Sequence, residues 1–209
     1  MTNIGILPTY NENKKRPFLD TFSFVNNYVA KIEKNGGVPM GIVFPNGKFN
    51  EKLLKPYSGL IIPGGSKIHL YHILSIHYAI TNDIPLLGIC MGMQAIGIYS
   101  NIVNEIINNN EIVNYKSIIE LCTPLDESKY LKSVSNHNEE TIFFQDSINK
   151  SSHKIYIVPN TILYKIYNQK TILEPSIHNY VLKEISDTFI INAKSKENCK
   201  GRLLNNVIM

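Results

Sequence analysis

Cysteine is scarce in this chain. Cys90, Cys122 and Cys199 are spread over 209 residues, too few and too dispersed for a disulfide framework. None stands in a Cys-x-x-Cys pair, so no zinc site is expected, and neither a metal nor a cofactor enters the reading. Long apolar runs are missing too. The longest, Ile84 to Ile98, is too short to span a bilayer and carries Gln94. The opening residues, MTNIGILPTYNENKK, lack a signal-peptide layout. The expected compartment is a reducing cytoplasm, with no membrane partner. Nor does a basic run interleave with aromatics. The net charge of +4 comes from scattered Lys and Arg, which reads as a solvated surface and not as a nucleic-acid face.

What is present is ordinary for a globular protein: 44% hydrophobic and 18% charged residues. The length suffices for one sizeable α/β core. NIGILP (3–8), VPMGIVF (38–44), SGLIIPGG (58–65) and IPLLGIC (84–90) read as buried strands. Thr21 to Asn35 places Phe22, Val25, Val29 and Ile32 at helical spacing, and Gly36-Gly37 is its stop signal. Ile68 to Thr81 reads as a second helix, and Met91 to Tyr99 opens a third. Strands without a polar face, alternating with helices, imply an open, mostly parallel twisted sheet covered on both faces. Residues 154–166, 169–175 and 187–195 read as shorter strands, a β-rich extension. No linker divides the chain, so residues 1–209 are expected to form a single domain.

The informative stretch is GICMGMQ (88–94). Gly-x-Cys-x-Gly at a strand-to-helix junction is the cysteine form of a nucleophile elbow. The glycines permit a sharp turn that lifts Cys90 out of the sheet. The helix N-terminus is expected to favour its thiolate. The Met91 amide would then face a developing oxyanion, and Gly64 and Gly65, ending a neighbouring strand, can complete an oxyanion hole. The competing reading is a buried, inert thiol in a glycine turn. The second glycine turn favours the nucleophile.

GICMGMQ after GLIIPGG resembles the class I glutamine amidotransferase-like superfamily, a flavodoxin-like fold. The match is closest to its γ-glutamyl hydrolase branch, the group containing γ-glutamyl-GABA hydrolases. IGILPTY, NGGVPMGIVFP and residues 153–195 also look like that branch. The resemblance implies Cys90 as nucleophile and the Gly65 and Met91 amides as the oxyanion hole. It implies Gly64, Gln94, Ser176 and His178 as substrate-binding residues. The implied substrate is a small γ-glutamyl or glutamine-like molecule, and self-association into a homo-oligomer is compatible with it.

The same resemblance exposes departures. The family pairs its Cys with a His in a late His-Pro-Glu stretch, but here no His follows His178 and no His-Pro-Glu occurs. The last strand, the turn bearing the base and the closing helix are therefore expected to be missing, as in a truncated chain. Met91 stands where Arg is usual, the loop after Gly65 is short, and Tyr180 replaces a Gln. Of the six histidines, His69, His72 and His77 are expected on the surface or as caps. His137 reads as solvated, His153 as ordering a turn, and His178 as a wall of the pocket. Three functions compete: a γ-glutamyl hydrolase acting through an acyl-enzyme, impaired by loss of the His–Glu pair; a glutaminase subunit delivering ammonia to a synthase partner; and a non-enzymatic remnant, a pseudoenzyme.

Overall fold

The computed structural model describes residues 1–134, 152–175, 178–187, 189–199 and 202–208. The chain divides into two compact units, Met1–Glu127 and Ser128–Met209. In the first, the elements run β1 (Thr2–Ile6), β2 (Thr9–Asn11), β3 (Thr21–Ser23), α1 (Asn26–Lys34), β4 (Gly37–Gly41), β5 (Gly59–Ile62), α2 (Leu70–Thr81), β6 (Leu86–Gly88), α3 (Met91–Asn108) and α4 (Tyr115–Cys122). Strands β4, β1, β5 and β6 form a parallel sheet in that order. Ile4 pairs with Gly59, Ile61 with Leu87 and Ile62 with Gly88. This is the parallel α/β sheet that the alternation of apolar strands implies.

Side chains alternate across the sheet, so its two faces can be assigned. A Cβ on Gly37 would meet Ile32 of α1, which places α1 on the face of Ile4 and Ile61. A Cβ on Gly88 would meet Gly92 and Ile96 of α3, on the opposite face with Leu60 and Ile62. Helices therefore flank the sheet on both sides. Beside α1, part of the first face stays open as an apolar groove of about 730 Å³, lined among others by Ile4, Ile61 and Leu87. Leu87 is half exposed there.

The core lies on the other face. Every residue of α2 from Tyr71 to Ala79 is buried, because the helix packs against both α3 and α4. That corrects the surface reading of its histidines. His72 is fully buried and His77 nearly so, whereas His69 does occupy the N-cap position of α2. His77 shares a 3.0 Å hydrogen bond with the Tyr99 hydroxyl. His72 Nδ1 accepts from the His69 amide at 3.0 Å. Its proton is therefore on Nε2, which donates to the Pro8 carbonyl at 3.2 Å.

Two further expectations change. The helix expected from Thr21 begins only at Asn26, and Thr21–Ser23 is a strand paired with Thr9–Asn11. Asp20 closes that hairpin by accepting from the Tyr10 hydroxyl at 2.5 Å and the Asn13 amide at 2.7 Å. In the second unit the elements are β7 (Leu131–Ser133), β8 (Ser152–Ile157), α5 (Ile162–Tyr167), β9 (Thr171–Pro175), β10 (Tyr180–Leu182), β11 (Ala193–Cys199) and β12 (Arg202–Ile208). Strands β12, β11, β8 and β9 make an antiparallel sheet in that order, and β10 pairs with β7. The single strand expected over 154–166 is thus a strand and a helix. Thr161 separates them, its side chain accepting from the Tyr164 amide as an N-cap. The strand expected over 187–195 starts only at Ala193. Ile155, Ile157 and Ala193 form the buried centre of this unit.

Burial holds the His72 pKa down to about 3, against an ordinary 6.5. Between those values the unfolded chain binds a proton at His72 that the native chain does not. Native stability should therefore fall as pH drops from about 6.5 toward 3, by at most about 1.4 kcal/mol per pH unit from this residue. Urea unfolding of the wild type and His72→Leu across that window checks this. The variant should be less stable near neutrality and show the shallower pH dependence.

Candidate active site

The site is built at the C-terminal ends of β5 and β6. Ile89 follows β6 and its amide donates to the Ile62 carbonyl at 2.9 Å, extending the sheet by one step. Helix α3 begins at Met91. One residue, Cys90, makes the turn between them. Its φ of 53° and ψ of −109° lie outside the ordinary left-handed well. A side chain held there costs about 1–3 kcal/mol and persists only where its surroundings enforce it.

Two glycines supply that enforcement. A Cβ on Gly92 would lie 2.1 Å from the Ile62 carbonyl oxygen, and one on Gly88 would lie 2.6 Å from the Gly92 backbone. The first turn of α3 is thus pressed directly onto the strand ends. Behind it, Met91, Ala95, Ile98, Tyr99 and Ile102 are buried and anchor the helix.

The Cys90 residue is exposed, yet protein atoms crowd its sulfur. That desolvation pushes the thiol pKa up, and a hydrogen bond from the Met91 amide, which pulls it down, is the smaller effect. This direction is opposite to the lowering expected from the helix terminus.

The turn after β5 lies alongside. A Cβ on Gly64 would sit 3.4 Å from Cys90 Cβ, 3.9 Å from its Sγ and 3.7 Å from the Tyr28 hydroxyl oxygen. The Gly64 amide donates to that oxygen at 3.5 Å, long for a hydrogen bond. Gly65 is exposed. A Cβ there would meet Met91 Cε at 3.1 Å and Thr9 Oγ1 at 3.2 Å. The Met91 side chain, 2% exposed, therefore underpins the Gly65 turn.

The remaining expected residues are placed as follows. Gln94 is on the first turn of α3, 6% exposed, its amide donating to the Cys90 carbonyl at 3.0 Å. His178 belongs to the second unit, where its Nδ1 donates to the Tyr180 carbonyl at 3.2 Å. Ser176 and His137 lie outside the described residues. Tyr28 and Thr9 are the site residues that the sequence reading missed. Tyr28 stands on the Val25–Val29–Ile32 stripe of α1 and Thr9 just after β1, so position was readable while reach toward Gly64 and Gly65 was not.

Two measurements follow. Alkylation of Cys90 by iodoacetamide should accelerate with pH through an inflection above that of a free model thiol. Buried Cys122, pushed up to about 11, should react more slowly at every pH below that. Peptide mapping by mass spectrometry separates the two. Gly92→Ala should lower stability by about 3 kcal/mol or more, since only backbone can yield to the added methyl. Thermal unfolding measures that loss.

Comparison with known proteins identifies the family. The profile of the glutamine amidotransferase class-I family matches residues 18–205. A glutamine amidotransferase-like protein of Rickettsia prowazekii is 26% identical over 238 aligned positions, covering 93% of this chain and 82% of that protein. The CTP synthase of Borreliella burgdorferi is 30% identical over 148, covering 68% of this chain but only 25% of the enzyme. Among solved structures, the glutaminase domain of Trypanosoma brucei CTP synthase, with bound acivicin, superposes with a TM-score of 0.59 at 14% identity, over 99% of this chain and 79% of that one. A Thermotoga maritima glutamine amidotransferase gives 0.55 at 11% identity, over 93% and 67%. At such identities the structural likeness speaks for the fold, and the family profile, running through nearly the whole sequence, carries the assignment: the chain belongs to the class-I glutamine amidotransferase family.

Proposed function

We propose that Cys90 attacks the side-chain amide of a γ-glutamyl substrate, forming a thioester acyl-enzyme and releasing an amine. The observation that carries this is the Cys90 backbone at φ 53° between β6 and α3, which presents the sulfur beside Gly64 and the Met91 amide. A merely structural cysteine has no need of such a conformation. In the attack, the S–C bond forms as the carbonyl π bond opens onto oxygen. The Gly65 and Met91 amides are assigned to that oxygen. Burial raises the thiol pKa, so in this step the proton leaves as the bond forms. Collapse of the intermediate expels the amine, which takes up a proton, and water then hydrolyses the thioester.

Resemblance to the γ-glutamyl hydrolase branch favours water as the final acceptor. A second reading, a glutaminase passing ammonia to a synthase, is favoured by the relatives, since CTP synthases match over 68% of this chain. The chain spans about a quarter of those enzymes, so their activity and partners do not transfer with the match. The family profile crosses both compact units, which supports reading them as one functional domain. Gln94, Ser176 and His178 are assigned to the substrate by resemblance.

No His-Pro-Glu occurs in these 209 residues, and in the proposed reaction general acid–base help to the thiol and the leaving amine is what limits turnover by this segment. Such help is worth about 10²–10⁴-fold. The chain as it stands should turn over glutamine and γ-glutamyl-GABA slower than a version extended with a family-type His-Pro-Glu segment by about that factor. Cys90→Ala should abolish turnover in both. Equal rates from the two forms, lost on Cys90→Ala, would sink the impaired reading and make His178 the first base to mutate. A rate unaffected by Cys90→Ala would remove the nucleophile assignment itself.

A further inference from the structure

We propose that the Tyr28 hydroxyl is a further catalytic group, donating to the carbonyl oxygen of the substrate as Cys90 attacks it. The inference rests on the γ-glutamyl reading of Cys90 and adds a residue to it. Its basis is a space. Gly64 does not have a left-handed φ, and a Cβ on it would meet nothing closer than 3.4 Å. Neither backbone conformation nor crowding requires glycine there in the resting protein. What the missing side chain leaves is room, and that room has two chemical walls. Cys90 Sγ lies 3.9 Å from the vacant Cβ point and Tyr28 Oη lies 3.7 Å from it. A carbonyl entering this space brings its carbon to the sulfur and its oxygen to the phenol.

The phenol suits the task. Its oxygen faces the Gly64 amide at 3.5 Å as an acceptor, which leaves its own proton to donate. It is held on α1, a regular helix anchored by buried Ile32, so its reach is set by packing and not by a loop. Its ring lines the apolar groove beside α1, while the hydroxyl emerges at Gly64. A hydrogen bond that strengthens as the oxygen gains charge accelerates the chemical step.

The test reads acylation-like chemistry directly and needs no complete turnover. The probe is the chloroketone analogue of glutamine, in which a chloromethyl ketone replaces the carboxamide. Thiol addition to its carbonyl develops the same oxyanion before the sulfur displaces chloride and the thiol proton goes to solvent. Iodoacetamide is the control, since its displacement at carbon generates no oxyanion. Tyr28→Phe keeps the ring in the groove and removes only the hydroxyl. It should lower the second-order labelling rate of Cys90 by the chloroketone about 10- to 100-fold. Its iodoacetamide rate, the pH profile of that rate and the melting temperature should stay at wild-type values. Gly64→Ala, which fills the space, should suppress chloroketone labelling at least as strongly. An unchanged chloroketone rate in Tyr28→Phe overturns the proposal. So does an equal fall with both reagents, which would mean that Tyr28 acts on the thiol. Failure of the wild type to show saturable chloroketone labelling overturns the γ-glutamyl reading itself, and this inference with it.

Discussion

The close approach of Gly92 to the Ile62 carbonyl is the constraint from which the site follows. No side chain can stand between helix α3 and the end of β5. With Ile89 already bonded to Ile62, the chain has one residue in which to leave the sheet and enter the helix. That residue takes φ 53° and ψ −109°. The strain costs about 1–3 kcal/mol. Burial of each large apolar side chain contributes about 1.5–3 kcal/mol, and α3 buries Ile98, Tyr99, Ile102 and Ile106 among others. The helix is thus anchored well enough to hold a conformation that Cys90 would not adopt by itself. The conformation of Cys90 is thus a by-product of packing several residues away.

The same packing acts on the thiol. A helix N-terminus stabilises an anion by typically 0.3–1 kcal/mol where solvent screens it. Crowding of the sulfur acts in the opposite direction, raising the thiol pKa by more than the Met91 amide hydrogen bond lowers it. A protonated resting thiol is compatible with attack if the proton is removed as the S–C bond forms. Such a site depends on a base and on oxyanion donors more than a preformed thiolate would. In the proposed reaction the weight shifts from the ground state of the sulfur to the stabilisation of the charge that forms on the substrate.

The sheet and the elbow were legible in the sequence because both rest on short-range patterns. NIGIL, GLII and PLLG are apolar on both faces, which only a covered parallel strand needs. Gly88 and Gly92 flank Cys90 at a spacing that already states the turn. What was not legible depends on contacts distant along the chain. Thr21–Ser23 carries the helical spacing of the residues after it, and only Asp20, bonded to Tyr10 and Asn13, turns it into a hairpin. His72 and His77 look like solvent-facing positions until α3 and α4 are packed over them. Tyr28 reads as one more apolar position on α1. Its hydroxyl reaches Gly64 because α1 and the Gly64 turn, 36 residues apart, meet at the same strand ends.

The buried histidines then acquire a meaning that their placement away from the sulfur hides. The Pro8 carbonyl accepts two hydrogen bonds, from the Tyr71 hydroxyl at 2.8 Å and from His72 Nε2 at 3.2 Å. Both donors are buried side chains of α2. They fix the chain where it leaves β1, and the next residue, Thr9, is the one whose hydroxyl abuts Gly65. A helix that contributes no reacting group thereby sets one wall of the glycine turn, while α1 sets the other through Tyr28. His72 can do this only while neutral, since its Nδ1 must accept from the His69 amide as its Nε2 donates. Desolvation, which would disqualify it as a base near neutral pH, is what keeps it in that state.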